Sequence, residues 1–206
     1  MKRVVGFLRS RGDDSLMSPG DVIGDFYRPG WVFGVFYEEA DPGIQEASCL
    51  VTEFTGRFLR VLNSTRSQIS AFQEGYDVLM ESGRRIENFV CFLVSGDGIW
   101  FAAADEAKLL RVRVDGESSL IKIRPPAQQV LESGFTRPKI DWEMIDDQDL
   151  YLVSGNSNLF SVLDISEISR IVRECCDPEK SAEALVKAAQ KKLPRPNYSA
   201  VVVPLK

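Results

Sequence analysis

The chain has 206 residues, 44% of them hydrophobic and 27% charged, with 25 basic and 30 acidic side chains and a net charge of -5. That length accommodates one sizeable core and predicts a single domain over 1–206, and the composition is neither that of a disordered chain nor of a membrane protein. An isoelectric point near 5.0 argues against a nucleic-acid partner, which calls for a basic face to neutralise phosphates.

No apolar run approaches the ~20 residues of a membrane span, and the N-terminal MKRVVGFLRSRGDD has too short an apolar stretch for a signal peptide. A cytoplasmic protein with no membrane contact is expected. Histidine is absent, which removes the Ser/His/Asp and Cys/His nucleophile systems, His-ligated zinc and the commonest general base near neutral pH. Any catalysis must rest on carboxylates, Lys, Tyr, Cys or a metal held by oxygen. Cys49, Cys91, Cys175 and Cys176 show no CxxC spacing. The first two fall within apolar periodicity as core residues, and the adjacent pair fits a helix end before Asp177 and Pro178, its redox role left open.

In chain order, RVVGFL, VIGDFY and WVFGVF read as three strands separated by turn chemistry, the third ending at Tyr37 and the acids Glu38, Glu39 and Asp41. From Ile44, the spacing of Ala47, Val51, Phe54, Phe58 and Val61 predicts a helix with Asp41 as N-cap and Pro42 at its first position. A second helix is predicted over Gln68 to Glu81, with Ile69, Phe72, Tyr76 and Leu79 or Met80 inward and Gly83 ending it. Arg57, Arg60 and Arg66, like Arg84 and Arg85, read as solvated. FVCFLV, IWFAAA, KLLRVRV and SLIKI follow as an antiparallel meander with turns at Asp97-Gly98 and Asp115-Gly116. AQQVLES predicts a short helical segment, and KIDWEMI and LYLVSG two strands flanking an acidic turn, DDQD. Asp164 and Glu167 form a capping box for a helix carrying Ile165, Ile168, Ile171 and Val172, and Asp177 with Pro178 opens another. YSAVVVPL closes the chain as a central strand. Strictly alternating βαβ units are missing. The order predicts an α+β fold of two stacked antiparallel sheets with helices outside.

Several of these segments, in this order, resemble the metal-dependent type 2C protein phosphatases, the PPM superfamily, including its stage II sporulation protein E branch. DLYLVSGNSNLFSVLDISEISRIV resembles that family's strand, Ser-Asp-Gly turn and helix, DPEKSAEALVKAAQ its next helix, and RPNYSAVVVPL its closing turn and valine strand. IWFAAADEAKLLRVRVDG resembles the strand ending in Gly-Asp-Ser-Arg and the strand after it, and FGVFYEEADPGIQEAS the strand, Asp-Gly turn and helix start. The resemblance implies a two-metal phosphatase, in which Mg²⁺ or Mn²⁺ held by aspartates activates a water against phosphoserine or phosphothreonine.

Carried over residue by residue, that site is degenerate. The metal-bridging Asp falls on Tyr37 and its Gly on Glu38. The Asp of the Ser-Asp-Gly turn falls on Ser157, with Asn158 for its Gly, or on Gly155 if Ser154 is the anchor. With Asn197 taking the family's closing Asn, the preceding Asp becomes Pro196. Gly-Asp-Ser-Arg becomes Asp105, Glu106, Ala107 and Lys108, and the segment from there to Ser154 is short for a full flap. RGDDS supplies Arg11 as a candidate phosphate contact and Asp14 as an outer acid, although it also reads as an ordinary polar turn. The expectation is a pseudophosphatase with no metal or other cofactor, bound to a phosphoprotein or signalling partner. The alternative is an active Mg- or Mn-dependent enzyme with ligands relocated to Glu39, Asp41, Asp105 and Glu106, or to Asp146, Asp147 and Asp149. A third reading places an interaction surface over the shortened flap, around Phe135 to Trp142.

Overall fold

The computed structural model describes residues 6–10, 21–24, 32–39, 47–82, 86–96, 98–104, 108–121, 139–155, 157–194 and 198–205. The elements in chain order are β1 (Gly6–Ser10), β2 (Asp21–Gly24), β3 (Val32–Glu39), α1 (Ala47–Thr65), α2 (Gln68–Glu81), β4 (Ile86–Ser95), β5 (Gly98–Ala104), β6 (Leu109–Arg113) and β7 (Ser118–Leu120). They continue with β8 (Asp141–Met144), β9 (Asp149–Gly155), α3 (Ser157–Val162), α4 (Ile165–Cys175), α5 (Pro178–Lys192) and β10 (Tyr198–Pro204).

Two five-stranded antiparallel sheets result, ordered β1-β10-β9-β6-β7 and β2-β3-β4-β5-β8. Alternation along the strands decides which side chains meet. Val90, Phe92 and Val94 of β4 point between the sheets with Ile99 and Phe101, against Leu109, Leu152, Val201 and Val203 of the other sheet. Cys91 and Leu93 point the opposite way, onto Phe54, Phe58, Phe72 and Tyr76 of the α1–α2 pair. Leu110, Val153, Ala200 and Val202 likewise face outward, under α3, α4 and α5. This is the expected architecture of two stacked sheets with helices on both outer faces.

The helix starts follow their caps. Ser67 accepts from the Ser70 N–H at 3.2 Å, Asp164 from that of Glu167 at 2.8 Å, and Asp177 from that of Lys180 at 2.8 Å, with Pro178 in the first turn of α5. Four expectations need correction. Ile69, expected inside α2, is 48% exposed, because it lies in the first turn beside the exposed residues that end α1. Gly98 belongs to β5 rather than to the hairpin turn: it pairs with Ser95, and Gly96 takes φ +55°. The central strands are not one meander, since β4 and β5 belong to one sheet and β6 and β7 to the other. Trp142 lies within β8, opposite Trp100, rather than in a flap. The helical segment at AQQVLES, the cap at Asp41, the helix end at Gly83 and the surface around Phe135 lie outside the described residues, and Met80 is only half-buried.

Candidate functional site

Strand register gathers, at one end of the sandwich, those expected site positions that are described. In one sheet Tyr37 pairs with Phe89, which pairs in turn with Ala104, the last residue of β5. In the other, Ser10 ends β1 opposite Tyr198, the first residue of β10, while Gly155 ends β9 opposite Ala200 and Leu109 opens β6 opposite Ser154. Residues 105–107 alone separate Ala104 from Lys108, a link that reaches no more than about 14 Å at ~3.5 Å per residue. With sheets ~10 Å apart, the two sets of strand ends must therefore lie at the same end.

Tyr37 and Glu38 do not form the expected turn. Both remain inside β3, with Glu38 paired to Asn88, and the register shifts only between Glu38 and Glu39. Continued pairing with β4 holds the chain extended past the apolar run, which is why the acids did not end the strand. Ser157 opens α3, where the sequence predicted only a turn, and Asn158 follows in the same helix. Arg11, Asp14, Asp41, Asp105, Glu106, Pro196 and Asn197 lie outside the described residues.

The described surroundings of this end are built from neutral groups and one cation. Tyr198, fully buried, donates its hydroxyl to the Leu193 carbonyl at 2.7 Å, and burial pushes its phenol above the ordinary range. Ser154, also fully buried, donates to the Lys108 carbonyl at 3.4 Å, tying the end of β9 to the start of β6. The ammonium of Lys108 stands 6.0 Å from the Phe160 ring centroid. Gly155 has no room for a side chain, because a Cβ there would overlap the Ser199 carbonyl oxygen and approach Leu159. Of the two positions to which the Ser-Asp-Gly aspartate was assigned, Gly155 thus cannot carry a ligand on this backbone.

Asp146, Asp147 and Asp149 are not at this end. Asp149 pairs with Arg113 at the last position of β6, while the first, Leu109, pairs with Ser154. Asp149 is fully buried and held by Arg111 at 3.3 Å, and Asp146 lies 3.5 Å from Arg113. Asp146 and Asp149 form a separate ionic cluster with Arg111 and Arg113, while Asp147 is an exposed turn acid. The alternation of KLLRVRV contained the signal: Leu109, Arg111 and Arg113 share one face, so a core-facing arginine demanded a buried acid.

Among the described residues no group of three or more His, Cys, Asp or Glu side chains is placed to hold a metal ion. The donor chemistry at the assigned positions does not fit a pair of hard divalent cations either: a neutral phenol at Tyr37, a hydroxyl at Ser157 and no side-chain donor at Pro196.

No protein-family model matches the sequence, and no curated protein matches it. Solved structures do match over the full fold. The serine/threonine phosphatase PstP/Ppp of Mycobacterium tuberculosis superposes with a TM-score of 0.72 at 12% identity, covering 100% of both chains. The PPM Ser-Thr phosphatase MsPP of Mycobacterium smegmatis, in complex with cacodylate, gives 0.72 at 14% identity over 98% of each. The catalytic domain of PstP with two manganese ions gives 0.70 at 12% identity, over 98% of this chain and 97% of that one. At such identities the likeness is one of fold: the chain has the α+β architecture of PPM-type phosphatases.

Proposed function

We propose that this PPM-phosphatase fold is a pseudophosphatase, a degenerate member of that superfamily on its stage II sporulation protein E-like branch, kept for binding or regulation in a cytoplasmic signalling role. One observation carries the reading. The strand end at which a two-metal site needs its bridging carboxylate carries Tyr37, embedded in the β3–β4 ladder opposite Phe89. A phenol in that position does not bridge two cations. Ser157 at the start of α3, the crowded Gly155 and Pro196 before β10 add to it, because they leave the other sheet without a carboxylate at the corresponding assigned positions. The partner in this reading is a phosphoprotein or a signalling protein, recognised without turnover and without a bound cofactor, and Arg11 is the candidate phosphate contact.

Calorimetric titration of the full chain with MnCl₂, alongside p-nitrophenyl phosphate turnover, tests the reading. Absence of tight Mn²⁺ binding and of turnover is the expected result. Binding of two ions with measurable hydrolysis would overturn it.

The register shift between Glu38 and Glu39 favours a second reading, since a bulge at a strand end re-aims side chains and such irregularities gather beside active sites. In that case Glu39, with Asp41, Asp105 and Glu106, supplies relocated ligands for Mg²⁺ or Mn²⁺ in an active phosphoserine or phosphothreonine phosphatase. Loss of Mn²⁺ binding in Glu39→Gln, but not in Tyr37→Phe, would support it over the first.

A further inference from the structure

A groove of about 370 Å³ lies on the outer face of the β6–β7 edge, lined by Lys108, Leu120, Phe160, Leu163, Asp164 and Ile165. Leu163 and Phe160 form its floor, and Leu120 and Ile165, each 36% exposed, form its rims. Lys108 supplies a cation over the Phe160 ring, and no carboxylate among the described residues pairs with it. Asp164, the groove's own acid, is engaged in accepting the Glu167 N–H at 2.8 Å.

Beside the groove runs the edge of β7, open among the described residues. Among the described residues β7 pairs with β6 alone. Arg113 donates its N–H to Glu117 and Ile121 donates to Leu109. These fix the hydrogen-bonded pairs of the ladder, so the alternating pairs Val112/Ser118 and Leu110/Leu120 are the non-bonded ones. The backbone N–H and C=O of Ser118 and Leu120 consequently point away from β6, toward the open edge.

We propose that the β7 edge and this groove together dock an extended segment of a partner protein by strand addition, with an apolar side chain in the Leu120–Phe160–Leu163 groove and a neighbouring acidic residue on Lys108. Main-chain bonds to Ser118 and Leu120 supply the register, and the groove and its single cation supply the selectivity. The inference goes beyond the strand-end site and stands whether or not that site binds metal.

The probe is a fluorescein-labelled eight-residue peptide of alternating valine and threonine with a central leucine followed by aspartate, titrated against the full chain by anisotropy. A control peptide carries lysine for the aspartate. Expected results are binding of the acidic peptide, about tenfold weaker binding of the lysine peptide, and about tenfold weakening in Lys108→Glu, the scale of a lost partly buried charge pair. Leu120→Pro removes a donor from the open edge without removing a ladder bond to β6, and should weaken the acidic peptide similarly. Lys108→Glu, a change at a half-exposed side chain, keeps the test decisive if Leu120→Pro fails to fold. No binding, equal binding of both peptides, or wild-type binding by Lys108→Glu would overturn the proposal. So would sedimentation showing that a second copy occupies the edge, with backbone amide shifts at 118–121 that follow protein concentration rather than peptide.

Discussion

Arg111 and Glu143 join the two sheets: the guanidinium Nη2 of β6 lies 2.6 Å from the carboxylate Oε2 of β8, across the interior of the sandwich. The same guanidinium, whose side chain is 14% exposed, reaches the fully buried Asp149 through Nη1 at 3.3 Å, and Asp149 in turn accepts the Asp146 N–H at 2.8 Å. One arginine thus offsets a buried carboxylate and ties β6 to β8 of the facing sheet.

Removing that cation should be costly. Arg111→Met leaves Asp149 buried without a counter-charge, and a loss of about 3–5 kcal/mol is expected. Urea denaturation measures it. Adding Asp149→Asn, which removes the charge but keeps an acceptor for the Asp146 N–H, should restore more than half of the loss. A double variant no more stable than Arg111→Met alone would show that packing, not charge, is what the arginine supplies.

Gly98 leaves room for Trp142. A Cβ at Gly98 would overlap the indole Nε1 of Trp142, which packs 6.4 Å from Trp100 on the same face. Gly98→Val should displace the indole, cost about 1–3 kcal/mol as overpacking does, and shift the tryptophan emission to longer wavelength. Unchanged emission together with unchanged stability would contradict the contact.

Burial pushes the Cys91 thiol well above its ordinary value of 9.0. Because the folded value exceeds the unfolded one, the stabilisation is fully present below about pH 9 and is lost as pH rises through the folded value: the unfolded chain releases its proton first. Tyr151 and Tyr198, both raised by burial and Tyr151 also by Cys176 and Asp177, act in the same direction from 10.0 upward. Stability should therefore fall on the alkaline side, and Cys91→Ala should flatten the first part of that fall. Iodoacetamide labelling read by mass spectrometry should modify the exposed Cys176 in the native protein and Cys91 only on unfolding.

Restoring one acid should not restore a metal site. Under the pseudophosphatase reading, Tyr37→Asp alone leaves Ser157 and Pro196 without carboxylates, so Mn²⁺ binding by calorimetry should stay absent. The combination Tyr37→Asp, Ser157→Asp and Pro196→Asp should introduce it, because hard cations need several anionic oxygens together. Tight binding in the single variant would show that neighbouring acids already complete a site.

Much of the fold was legible because it is encoded locally. The limits of α2 at Gln68 and Glu81, the caps at Asp164 and Asp177 and the continuous apolar run of YSAVVVP, a central strand buried along nearly its whole length, depend on neighbours within a few residues. The side-chain chemistry of Tyr37, Ser157 and Pro196 is equally a matter of sequence, since it does not depend on the fold.

Only tertiary structure decided what depends on distant partners. Pairing with β4 carries β3 through Tyr37 and Glu38, and the short link after Ala104 sends β6 into the opposite sheet. The approach of Ser199 leaves Gly155 without space for a ligand, and the opposite sheet brings Glu143 to Arg111. Each arises from strands far apart in the chain whose register is set by cross-strand hydrogen bonds and by which face is buried. Local periodicity can place a residue on a face, but it does not specify what that face will meet.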